Sequence, residues 1–90
     1  MIFTWDDEKE QINLRKHRVR FHDAVQIFDQ PHVTYFDEKN SDTEDRYVAI
    51  GFLGLRLLIV AFTECDGNQI RLISARKATK QEERRYERGY

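Results

Sequence analysis

Two runs rich in β-branched and aromatic residues, Arg46 to Leu53 and Arg56 to Thr63, are joined at Gly54, where a tight Gly-X turn suffices. They predict a hairpin at the centre of a sheet. Val48, Ile50 and Phe52 alternate onto one face, and Leu58, Val60 and Phe62 onto the other. A sheet with one wet face would show a cleaner alternation. This one must be covered on more than one side, either by a terminal helix or by a partner chain.

The flanking segments extend that hairpin. Val33 to Phe36 reads as a short strand, followed by a polar, strongly acidic loop from Asp37 to Asp45. After Thr63, Glu64-Cys65-Asp66-Gly67-Asn68 carries a D-G turn into a fourth strand, about Gln69 to Ser74. Short connections alone make these four strands an antiparallel meander. Thr79 with Glu82 three residues on forms a capping box that opens a last helix. At the other end, a short apolar start (Ile2, Phe3, Trp5) precedes Asp6, which can cap a helix running to about Lys16. Its first turn is acidic (Asp7, Glu8), and Arg15, Lys16 and His17 are basic at its end. Trp5, Ile12 and Leu14 give it only a shallow apolar stripe. A second helical segment, His22 to Phe28, turns Ala24, Val25, Ile27 and Phe28 inward, and Pro31 ends it. The predicted architecture is an α+β fold in the order α-α-β-β-β-β-α, one domain spanning residues 1–90. A chain of this length buries roughly two thirds of its unfolded surface, enough for one compact core.

Six Phe, four Tyr and a Trp exclude a disordered chain, while 34% charged residues make the surface strongly ionic. A single cysteine, Cys65, cannot close an intramolecular disulfide, and there is no Cys/His cluster for structural zinc. The longest apolar run, Leu57 to Phe62, is too short for a membrane span, and Met1 opens no signal segment, so a cytoplasmic location is expected. No cofactor or metal is expected: the four glycines form no phosphate loop, and the carboxylates of 37–45 lack calcium-loop spacing. The net charge of −1 hides a polarity. Residues 1–45 hold six Lys/Arg against eleven Asp/Glu, and residues 46–90 hold nine against five, giving −5 and +4. A local cationic surface can meet phosphates even in a chain of neutral total charge, through a small contact.

That cationic half concentrates where the fourth strand runs into the last helix. Ser74, Arg76 and Lys77 fall at the junction, and Arg84, Arg85, Tyr86 and Arg88 follow on the helix. A solvated helix face with a few surface ion pairs is the plain alternative.

The chain resembles the BrnT family through W-D-x-x-K at Trp5–Lys9, N-x-x-K-H at Asn13–His17 and V-x-F at Val19–Phe21. D-x-x-x-S-x-x-E-x-R at Asp37–Arg46, I-G at Ile50–Gly51, I-R-x-I-S-A-R-K-A at Ile70–Ala78 and E-R-x-Y at Glu83–Tyr86 complete the match. The resemblance implies a RelE-like fold, with helices on one side of a small antiparallel sheet and a C-terminal helix. It also implies a toxin that cuts RNA and arrests growth. A cognate BrnA-type antitoxin would hold it in check, in a heterotetramer that meets DNA only through the antitoxin. One departure is Arg18, where the family usually carries glycine after K-H, so a different helix C-cap is expected.

Metal-free RNA cleavage uses the ribose 2′-hydroxyl as nucleophile, so the protein must hold the phosphate, stabilise its added charge and move protons. Guanidinium groups suit the first two tasks, which makes Arg46, Arg71 and Arg76 candidates. The alternatives are that Arg46 pairs with Glu44 or its acidic loop and that Arg71 is merely an exposed strand residue. For proton transfer the candidates are His17, Lys16 and Glu44. His17 is otherwise a partner of the helix dipole, and Glu44 otherwise a solvated loop carboxylate. Ser74, Lys77 and Arg84 are candidate RNA contacts. Tyr86 and Trp5 could stack on bases, or could simply pack the last helix and the core. A second reading keeps the same surface but only docks an antitoxin, as part of a DNA-bound repressor.

Overall fold

The computed structural model describes residues 1–89. Strand β1 (Ile2–Thr4) leads into helix α1 (Asp7–His17), a short helix α2 (Phe21–Ala24) that tightens into a 3-10 turn over Val25–Asp29, and strand β2 (Val33–Phe36). After a 3-10 turn at Glu38–Asn40 come β3 (Tyr47–Leu53), β4 (Arg56–Cys65), β5 (Gln69–Lys77) and helix α3 (Lys80–Glu87). The sheet order is β1-β5-β4-β3-β2.

The expected four-stranded antiparallel sheet in the order α-α-β-β-β-β-α is therefore corrected. The sheet has five strands and is mixed, because β1 pairs parallel with β5 over Ile2↔Gln69, Phe3↔Ile70 and Thr4↔Arg71. Three residues are too few to show a period. The strand exists because β5 offers it an edge. The RelE-like expectation of helices on one side also fails. Helices α1 and α2 cover one face, where Val19, Phe21, Ala24 and Ile27 meet Ala49, Leu58, Val60, Phe62, Leu72 and Ala75. Helix α3 lies on the opposite face, where Tyr86 packs against a second cluster of Val48, Ile50, Leu57, Ile59 and Ala78. The two-sided burial anticipated from the hairpin thus has its cause within this chain.

Local chemistry accounts for the helix ends. Asp6 accepts hydrogen bonds from the Glu8 and Lys9 amides at 2.8 and 3.3 Å, and Thr79 and Glu82 form the reciprocal capping box of α3. Helix α2 has no capping side chain of its own. Glu10 of α1 supplies one from outside, its Oε2 accepting from the Phe21 amide at 3.0 Å. Gly51 lets the 3-10 turn lie close on β3, since a Cβ there would come within 3.1 Å of Ile27 and His32.

Arg18 closes α1 in the left-handed conformation, φ 60° and ψ 31°, its N–H donating to the Leu14 carbonyl at 2.9 Å. The backbone keeps the glycine-type cap and forces an arginine into it. A left-handed L-residue costs about 1–2 kcal/mol, while glycine adds roughly 0.5–1 kcal/mol of unfolded-chain entropy. Arg18→Gly is expected to stabilise the protein by about 0.5–1 kcal/mol, read as a higher urea midpoint at unchanged slope. A lower midpoint would show that the Arg18 side chain contributes more than the strain removes.

Candidate active site

The register of the sheet builds the site on the α3 side. Two rows cross it: Tyr35, Val48, Ala61 and Ser74 lie opposite one another in turn, as do Val33, Ile50, Ile59 and Arg76. Beside them, the Asp37 amide donates to the Arg46 carbonyl at 2.8 Å, and Thr63 faces Arg71. Small side chains, Val48, Ala61 and Ser74, sit mid-sheet between long ones. The result is a concavity of about 290 Å³ lined by Tyr35, Asp37, Asn40, Arg46, Val48, Ile59, Ala61, Ile73, Ser74 and Arg76.

A β-bulge in β5 decides which residues reach it. The pairing jumps from Ala61↔Ser74 to Phe62↔Leu72, leaving Ile73 as the extra residue. Strict alternation would send Leu72, Ser74 and Arg76 to one face and Arg71, Ile73 and Ala75 to the other. The bulge instead buries Leu72 and Ala75 beneath the helices and turns Arg71, Ser74 and Arg76 to the opposite face, the re-aiming that bulges commonly perform. Ser74 and Arg76 are thus strand residues, because β5 continues to Lys77 rather than ending at Ser74.

The acidic loop forms the cleft's far wall and is tightly folded. Ser41 Oγ donates to the Asp37 carbonyl at 2.6 Å and accepts from the Arg46 amide at 2.9 Å. Asn40 Nδ2 donates to Asp37 Oδ2 at 2.9 Å. Arg46 emerges from this loop with its Nε enclosed and without a hydrogen-bond partner. An enclosed donor of that kind costs about 1–3 kcal/mol unless an acceptor reaches it. Across the cleft Arg76 is forked by Glu82, Nη1 to Oε1 at 2.7 Å and Nη2 to Oε2 at 2.8 Å. That guanidinium is the main reason the Glu82 carboxyl falls to about 2, with the Thr79 amide and hydroxyl helping and partial burial working the other way.

A second cleft of about 250 Å³ adjoins the first, lined by Lys9, Ile12, Asn13, Lys16, His17, Ile73 and Ser74. Ile73 and Ser74 line both. Asn13 anchors this arrangement. Its Nδ2 donates to the carbonyls of Val19 and Ala75 at 2.9 and 2.8 Å, and its Oδ1 accepts from the Ala75 amide at 3.0 Å. β1 pairs only with Gln69 to Arg71, so beyond it the side-chain amide of Asn13 serves Ala75 as a strand would. One turn along α1, Lys16 and His17 are thereby held beside Ser74.

The residues singled out from the sequence divide accordingly. Arg46, Ser74 and Arg76 share the first cleft, and Lys16 and His17 share the second with Ser74. Glu44 does not pair with Arg46; both its carboxylate oxygens lie 2.8 Å from Arg71 Nη2, and neither residue lines either cleft. Trp5 packs edge-on to Phe21, and Tyr86 edge-on to Phe52. Lys77 is exposed at the end of β5, and Arg84 lies among Lys80, Glu83 and Glu87 on the outer side of α3. Sequence reasoning missed Tyr35, Asp37 and Asn40 as cleft residues. The only signal for Tyr35 was its place opposite Val48 once the strands are aligned. Among the described residues no group of three His, Cys, Asp or Glu could hold a metal ion, and no helix is long and apolar enough to cross a membrane.

The family model described as ribonuclease toxin, BrnT, of type II toxin-antitoxin system matches residues 5–82. The chain belongs to the BrnT family. The crystal structure of the Brucella abortus ribonuclease toxin BrnT is similar to it, with a TM-score of 0.71 and 28% identity over 89% of this chain and 100% of that one. No curated protein sequence matches the chain. Within the BrnT fold, several residues of the recognisable motifs have structural work: Asn13 completes β5, Ser41 closes the loop before Arg46, and Gly51 admits the 3-10 turn.

Proposed function

We propose that this BrnT toxin is a metal-independent endoribonuclease whose scissile phosphate sits between the two adjoining clefts, over Ser74. The observation that carries the reading is that Arg46, Ser74 and Arg76 line one cleft. A phosphate in the cleft accepts from Arg46 and Arg76, and the two guanidinium groups neutralise the charge that grows on the phosphorane. The ribose 2′-oxygen forms the new bond to phosphorus as the 5′-oxygen of the next nucleotide leaves. One proton must be removed from the nucleophile and one supplied to the leaving group. Lys16 and His17, which line the cleft on the other side of Ser74, make those transfers on this reading. Glu44 acts at a distance by engaging Arg71.

A type II toxin has an antitoxin. On this proposal it is a BrnA-type protein that joins the toxin in a heterotetramer, carries the DNA-binding part and masks the cationic clefts. The free toxin acts on RNA in the cytoplasm and thereby slows translation and growth.

The test is incubation of purified free protein with end-labelled RNA in excess EDTA, beside His17→Ala. Wild type should leave 2′,3′-cyclic phosphate ends with chelator present, and His17→Ala should be slower by roughly 10²–10⁴-fold, the usual contribution of a positioned acid or base. Cleavage that appears only with added Mg²⁺ would defeat the mechanism.

A further inference from the structure

The first cleft holds more than a phosphate needs. Its lining is mostly polar, but Val48, Ile59 and Ala61 give it an apolar patch of floor, and one wall is the side chain of Tyr35, which is 41% exposed on edge strand β2. A phosphate gains nothing from that floor. A flat aromatic partner gains both stacking and burial of its faces, each base–aromatic stack being worth about 1–3 kcal/mol by alanine substitution. Beyond Tyr35, Asp37 and Asn40 form the rim. Asn40 Nδ2 donates one of its two hydrogens to Asp37 Oδ2. The Asp37 carboxylate is an acceptor only, which favours a base edge that presents amino hydrogens over one that presents carbonyls.

We infer that this cleft is a base-reading subsite: Tyr35 stacks on the nucleobase next to the scissile phosphate, and Asp37 selects a base carrying an exocyclic amino group over uracil. The inference rests on the ribonuclease reading above. It assigns Tyr35 to binding rather than to the bond-making step.

The experiment measures KM and kcat, and maps cut sites, on an RNA containing all four bases in varied contexts, for wild type, Tyr35→Ala, Tyr35→Phe and Asp37→Asn. Tyr35→Ala should raise KM by roughly 5- to 150-fold, the stacking energy expressed as a ratio, with kcat within a few-fold of wild type. Tyr35→Phe, which keeps the stacking ring, should raise KM far less than Tyr35→Ala. Asp37→Asn should admit uracil at the mapped position while circular dichroism shows an unchanged fold. An unchanged KM in Tyr35→Ala, or wild-type base preference in Asp37→Asn, overturns the inference while leaving the ribonuclease reading intact. Wild-type protein that cuts no RNA overturns both.

Discussion

Asn13→Ala is expected to destabilise the protein by about 3–5 kcal/mol, because three backbone groups lose their only side-chain partner and each orphaned group costs about 1–3 kcal/mol. The lower part of that sum applies, since the adjoining cleft lets water reach some of the released groups. For a 90-residue domain this is a large share of a total stability of roughly 5–13 kcal/mol, and Tm should fall by on the order of 15–30 °C. Asn13→Asp separates hydrogen bonding from volume. The carboxylate nearly matches the amide in size but cannot donate to the carbonyls of Val19 and Ala75, and at pH 7 it adds a buried charge. It should be at least as damaging as alanine at pH 7, and should recover partly as acid protonates it. Losses below about 1 kcal/mol in both variants would mean that water replaces the amide freely, and that Asn13 does not hold α1 against β5.

How far such features could be read from the sequence depended on the distance over which the physics acts. Asp6 and Thr79 were legible as helix starts because a cap is decided within three residues, and α1 and α3 begin where those side chains put them. The central hairpin was legible from its apolar runs, with the register Leu53↔Arg56 across the turn at Gly54. The parallel strand β1 was not, since Ile2 to Thr4 become a strand only beside Gln69 to Arg71. The bulge at Ile73 was not either, because nothing within R-L-I-S-A-R marks which residue loses its partner. Asn13 entered the sequence reading only through N-x-x-K-H, yet it is buried, and its partners lie on the Val19 segment and on β5. The same limit governed the site: Arg46, Ser74 and Arg76 could be nominated by residue type, but that Glu44 belongs to Arg71, 27 residues away, is a fact of the fold.

Arg76→Ala is expected to lower kcat/KM for RNA cleavage by roughly 10²–10³-fold, the cost of deleting one donor to the transition-state charge. The rival explanation is structural, since Arg76 ties β5 to α3 through Glu82. The magnitudes separate the two. The pair is partly exposed, so after solvent screening its loss should cost only about 1 kcal/mol, too little to unfold the protein at pH 7. Its pH signature follows from the Glu82 carboxyl, which lies at about 2 in the folded protein against an ordinary 4.5. A depressed carboxyl stabilises the fold fully above the unfolded value and loses that contribution as pH falls from 4.5 towards 2. The stability gap between wild type and Arg76→Ala should therefore close in acid. Glu82→Gln makes the decisive comparison: it removes the same ion pair and a similar stability, but leaves the Arg76 charge in the cleft. Cleavage should survive in Glu82→Gln and collapse in Arg76→Ala. Equal losses in the two variants would make Arg76 a strut for α3, and the search for the phosphate's second cation would move to Lys16.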